Sequence, residues 1–231
     1  MASSYQYSLI FDNQSSRLGD LCVFQQDPNL TINGLQTVAW LVKTVAATTR
    51  LTLTWTTDLA FTWSETGQLA PGVVGTSVQV WPADLSTTNQ VTFNRVSGAY
   101  TFQDQAQGPE AGSMTILQSA SIPADQAAVG IGMGGAATFY VQAQPNVTSM
   151  FTPSTSPQYW ISFASYVAGE ILDVDAIADK VEVVYPTNVY SMTATLESDN
   201  TWSIAPTAEV NAAYLAASAD DPDVCWGAQL V

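Results

Sequence analysis

The stretch that decides the fold class is Arg50-Leu-Thr-Leu-Thr-Trp-Thr-Thr57. Apolar residues recur at every second position, so an extended chain puts Leu51, Leu53 and Trp55 on one face and threonines on the other. That is a half-buried β-strand. Thirteen further β-branched or aromatic runs follow the same grammar: 5 to 11, 20 to 25, 37 to 45, 59 to 64, 90 to 94, 99 to 103, 113 to 118, 128 to 133, 137 to 144, 159 to 166, 181 to 186, 190 to 197 and 201 to 205. Turn signals separate many of them, among them Asp27-Pro28-Asn29, Asn33-Gly34, Pro71-Gly72, Ser97-Gly98, Gly108-Pro109 and Asp199-Asn200. Short strands at this spacing predict an all-β, single-domain antiparallel β-sandwich, jelly-roll-like, over residues 1–231. Helical patterning is scarce and its best candidate runs from Thr207 to Ser218, so 206–231 is expected to be a helical or irregular tail. No internal repeat is visible.

Composition narrows the chemistry. Of 231 residues 47% are hydrophobic and 24 are aromatic, counting seven Trp, nine Tyr and eight Phe, so a large core can be buried. Only 11% are charged, against about 25% in an average soluble protein. Twenty Asp and Glu face five Lys and Arg, for a net charge of -15. That field repels nucleic acid and anionic lipid, and it favours cationic partners or simple solubilisation. No run reaches the ~20 apolar residues of a membrane helix, and the N-terminus lacks a signal-peptide pattern, so a cytoplasmic protein is expected. There is no histidine. Catalysis by a Ser-His-Asp or Cys-His arrangement and zinc held by imidazole are therefore excluded. The expected protein is not an enzyme.

Three motifs carry two readings each. Gly130-Ile-Gly-Met-Gly-Gly135 matches the dinucleotide fingerprint G-x-G-x-x-G, but Ala136–Gln142 reads as a strand where the fingerprint needs a helix. A glycine-rich turn between strands is the expectation. In Glu170–Glu182, Asp173 and Asp175 sit two apart and can offer oxygens to a hard cation such as Ca²⁺ or Mg²⁺. The EF-hand register fails, however, because Ala178 and Val184 stand where glycine and glutamate are needed. The alternative is a solvated acidic loop. Trp55, Trp63, Trp81, Tyr159 and Trp160 can line an aromatic slot for a planar molecule or a sugar, with Asp58 and Glu65 as polar handles, or they can simply pack the core.

The phrases QQDPNL (25–30), QVWPADLSTTNQVTF (79–93), QGPEAGS (107–113), VGIGMGGAATFYVQAQPN (129–146) and NVYSMTATL (188–196) resemble the rhizosphere-induced RhiA family, allied to the bacterial AidA/PixA inclusion-body proteins. The resemblance extends from about Tyr5 to about Pro206. It implies a β-sandwich, supplies no catalytic residues to carry over, and through its fungal members implies a pigment-like chromophore held without a covalent bond, with a divalent cation beside it. The reading that follows is a non-catalytic small-molecule binding protein, with a carbohydrate-binding lectin and a self-associating storage protein as alternatives. A homo-oligomer is compatible with any of them.

Overall fold

The computed structural model describes residues 5–27, 29–154 and 156–208. The C-terminal helical pattern from residue 209 on, Trp226, Cys225 and the acidic run Asp220–Asp223 lie outside the described residues. Among those described, the fold is all-β, with a single 3-10 turn at Val174–Ala176.

The chain is laid down in four units of four strands. The first is β1 (Gln6–Asn13), β2 (Gly19–Gln26), β4 (Leu41–Val45) and β5 (Thr49–Thr56), with a two-residue strand β3 (Gln36–Thr37) interposed. The second is β6 (Leu59–Ser64), β7 (Gln79–Pro82), β8 (Gln90–Val96) and β9 (Ala99–Ala106). The third is β10 (Met114–Gln118), β11 (Ala128–Met133), β12 (Ala136–Gln142) and β13 (Thr148–Phe151). The fourth is β14 (Gln158–Ala164), β15 (Val181–Val183), β16 (Ser191–Leu196) and β17 (Trp202–Pro206).

First and fourth units combine into sheets ordered β17-β16-β1-β5 and β15-β14-β2-β4. Their inward faces share a core containing Leu9, Phe11, Leu53, Trp55, Tyr159 and Phe163. Second and third units combine into sheets ordered β9-β8-β10-β13 and β7-β6-β11-β12-β3, around a core containing Phe61, Trp63, Phe93, Phe102, Ile131 and Phe139. The expected β-sandwich architecture is thus present twice, as two sandwiches packed together. The period-two reading of Arg50–Thr57 holds in detail, since Leu53 and Trp55 are buried in the first core and Leu51 packs at its margin.

The two sandwiches have one topology. Replacing β1, β2, β4 and β5 by β10, β11, β12 and β13, and β14–β17 by β6–β9, turns every pairing of the first sandwich into one of the second. Even the departure from antiparallel order is shared, because β1–β16 and β8–β10 are both parallel central pairs. The chain is therefore a structural duplication in which the second unit packs with the third and the fourth returns to the first. This corrects the expectation of no internal repeat, and the reason is physical. Strand pairing is carried by backbone hydrogen bonds, which any sequence of suitable alternation can make. Little sequence echo survives beyond Trp81-Pro82 and Tyr185-Pro186, whose rings pack at the margins of their respective cores.

The sandwiches join through their equivalent β6–β7 and β14–β15 connections, which pair antiparallel with each other. Gly75 N–H donates to Gly169 O (2.7 Å), Ile171 N–H to Val73 O (2.8 Å) and Gly72 N–H to Ile171 O (2.9 Å). Gly72 and Gly169 both adopt φ +85°, a left-handed conformation that favours glycine. On its other side the 169–172 segment pairs with 37–39, through Ala39 N–H to Glu170 O (2.8 Å) and Leu172 N–H to Thr37 O (2.9 Å). The strands that alternation does not reveal are short ones: β7 and β13 at sheet edges, and β3, which the 37 to 45 run does not separate from β4.

Candidate functional site

A cleft of about 480 Å³ opens at one seam between the sandwiches. Its sides are the end of β2 (Gln26, Asp27), the β3 region (Leu35, Gln36, Thr37), the start of β14 (Gln158) and Leu172–Asp175, with Phe139 of β12 and Pro71 completing the lining. Three side-chain amides, three carboxylates and a short apolar floor therefore face one space. Asp27 is committed to structure, its two carboxylate oxygens accepting Asn29 N–H (2.9 Å) and Ser154 N–H (2.6 Å), which fixes two loops at the rim. Asp173 and Asp175 are exposed and accept no side-chain hydrogen bond among the described residues. The loop that carries them is held below by Lys180 Nζ donating to Val174 O (2.5 Å) and by Ser162 donating to Asp179 (2.8 Å).

The sequence-predicted aromatics do not meet in one slot. Trp55 and Tyr159 are neighbours, 5.2 Å between centroids, inside the first core. Trp63 belongs to the second core, its indole N–H donating to Gln79 Oε1 (2.9 Å), and Trp81 packs at that core's margin. Trp160 lies on the outer face of β14 with Cys22 and Phe24, under the 166–177 loop. Asp58 is exposed and accepts Thr56 Oγ1 (2.7 Å), and Glu65 is exposed on a different connection. Only Asp173 and Asp175 stand in the cleft. Gln26, Gln36, Gln158 and Phe139 were not singled out from sequence, because amides and one Phe carry no motif.

Burial explains the titration of the interior groups. Desolvation pushes the Tyr159 phenol up to about 12 and raises those of Tyr185 and Tyr140, with smaller contributions from neighbouring groups. The Cys22 thiol is raised by the same cause. No three carboxylates or thiols come close enough to enclose a metal ion among the described residues. The Gly130–Gly135 motif is a β-hairpin, as its flanking strand indicated. A Cβ on Gly130 would sit 1.9 Å from Phe139 O, so the glycine serves close strand approach. No helix among the described residues is long and apolar enough to cross a membrane.

The fold and site define a β-sandwich protein with a polar cleft between duplicated halves. The RhiA family model matches residues 4–207. The chain is 34% identical over 209 residues to Protein RhiA of Rhizobium leguminosarum bv. viciae, covering 89% of each. It belongs to the RhiA family. No solved structure matches it.

Proposed function

We propose that this chain is a non-catalytic binding protein whose ligand is a small planar molecule bearing hydroxyl or other donor groups, seated in the seam cleft. The observation that carries the reading is the pair Asp173 and Asp175, exposed and accepting no side-chain hydrogen bond among the described residues, in a cleft that also gathers Gln26, Gln36 and Gln158 beside Phe139 and Leu172. Carboxylates and amide oxygens accept from ligand hydroxyls, while the apolar floor takes one face of a ring. A conjugated pigment satisfies this description. A divalent cation enters only as a bridge between the two aspartates and ligand oxygens, because Ca²⁺ takes about six to eight oxygens and two carboxylates fall short.

The test is native mass spectrometry and visible absorption of protein purified from its natural source, before and after EDTA. A bound small molecule, with absorbance weakened by chelation, supports the bridged form. A bound molecule indifferent to EDTA supports the cleft without the cation. Protein that carries no ligand and binds sugars on a glycan array would replace this reading by a lectin.

A further inference from the structure

The first sandwich contains a line of rings that leads from its core to the surface. Trp55 lies 5.2 Å from Tyr159, Tyr159 5.7 Å from Tyr185, Tyr185 4.9 Å from Tyr7 and Tyr7 5.5 Å from Tyr190, all between centroids. It ends at Tyr5 and Tyr190, which stack 5.6 Å apart with 8° between their planes and are 48% and 37% exposed. Backbone bonds hold both ends in place. Thr57 N–H donates to Tyr5 O (3.0 Å), and Ser8 N–H donates to Tyr190 O (2.8 Å).

We propose that Tyr5 and Tyr190 are a modification site, a tyrosine pair that closes to an intrachain dityrosine under one-electron oxidation, with the aromatic line delivering oxidising equivalents formed in the core. The placement of the proton decides where oxidation ends. A phenol that loses an electron becomes strongly acidic and must release its proton. Tyr185 donates to the backbone carbonyl of Ser8 (2.9 Å), which cannot take the proton, and Tyr159 donates to the Met133 thioether (3.6 Å), beside the Trp55 indole N–H, neither of which is a base. Tyr5 and Tyr190 release theirs to water. The buried phenols hold their protons more tightly than free tyrosine, consistent with this direction.

Two phenoxyl radicals then join through ring carbons ortho to oxygen, and the two displaced ring hydrogens return to oxygen on rearomatisation. Two tyrosines lose two electrons and two protons in all. One hydrogen peroxide, acting through a peroxidase, accepts them and becomes two waters. The product ties strand β1 to the start of its parallel neighbour β16, far apart in sequence.

The experiment uses the full-length protein in two oxidising systems: peroxidase with hydrogen peroxide, and near-ultraviolet excitation of tryptophan with chloropentaamminecobalt(III), a one-electron acceptor whose reduced form falls apart to Co²⁺ and ammonia and oxidises nothing further. Dityrosine fluorescence in the monomer band and a peptide joining residue 5 to residue 190 are expected in both. Tyr5→Phe and Tyr190→Phe, surface changes that keep the circular dichroism spectrum, should each abolish that peptide. Tyr7→Phe should lower the yield several-fold after tryptophan excitation and leave the peroxidase yield unchanged. Crosslinks only between molecules, or an intrachain product that survives Tyr190→Phe, overturn the pair. An unchanged tryptophan-initiated yield in Tyr7→Phe overturns the relay.

Discussion

Duplication gives the molecule two equivalent seams, and they have been finished differently. At one, β2 ends against the start of β14 with Gln26 opposite Gln158. At the other, the corresponding ends of β11 and β6 bring Met133 opposite Leu59. Met133 is buried in the first core, where its carbonyl accepts the Trp40 indole N–H (2.9 Å) and its sulfur the Gln25 amide (3.3 Å). Leu59 packs against both cores. The Met–Leu seam is therefore sealed by burial of a kind that contributes about 1.5–3 kcal/mol per large side chain. The Gln–Gln seam forgoes that contribution and opens into the cleft. A position left polar where its structural twin is apolar is the difference on which the proposed binding role rests.

The comparison breaks most directly at the closed seam. Met133→Ala should destabilise the protein by about 2–5 kcal/mol, because it empties a site in the first core and removes the sulfur that accepts from Gln25 and Tyr159. Urea unfolding measures the loss, and ligand absorbance at native concentrations should be unchanged. The same seam should fail in alkali. Tyr159, which donates to Met133 Sδ, has its pKa raised from 10.0 to about 12, so the unfolded chain loses this proton first. The contribution is complete below pH 10 and is lost as pH rises from about 10 to about 12. At about 1.4 kcal/mol per unit that amounts to roughly 3 kcal/mol, and Tyr159→Phe should flatten this part of the stability profile.

Changes at the open seam should act on binding and spare the fold. Asp173→Asn with Asp175→Asn should weaken the ligand by about tenfold or more, since hydrogen bonds to charged groups contribute ~1.5–3 kcal/mol. The unfolding free energy should stay within about 0.5 kcal/mol of wild type. Gln26→Leu with Gln158→Leu, which imitates the sealed seam, should lower affinity by a smaller factor of about 2 to 10 per lost neutral hydrogen bond. Stability should hold or rise slightly. Titration calorimetry with the ligand released from natural protein measures both. An Asp pair without effect on affinity would leave the two seams equivalent in function and the cleft without its role.

Much of the strand pattern was legible because burial writes itself into alternation. Leu53 and Trp55 face the core as the period requires, and Ser97 and Gly98, with φ of 52° and 88°, make the tight turn between β8 and β9 that the dipeptide announced. The aromatic site was not legible. Trp55 and Trp63 look alike in sequence, each in an alternating strand, yet they enter different cores. Asp173 and Asp175 could be selected by charge and spacing, whereas Gln26, Gln36 and Gln158 come together only because β2, β3 and β14 end at one seam.

The sequence by itself determined an all-β chain without imidazole chemistry, because side-chain alternation and the absence of histidine are local properties that no packing can reverse. The tertiary structure alone decided that the strands close two sandwiches of one topology, with the fourth unit returning to the first. It also decided which of two equivalent seams stays open. Those outcomes depend on pairing between backbones up to 183 residues apart, as in Ser8 with Ser191, and backbone hydrogen bonds leave no mark on residue identity.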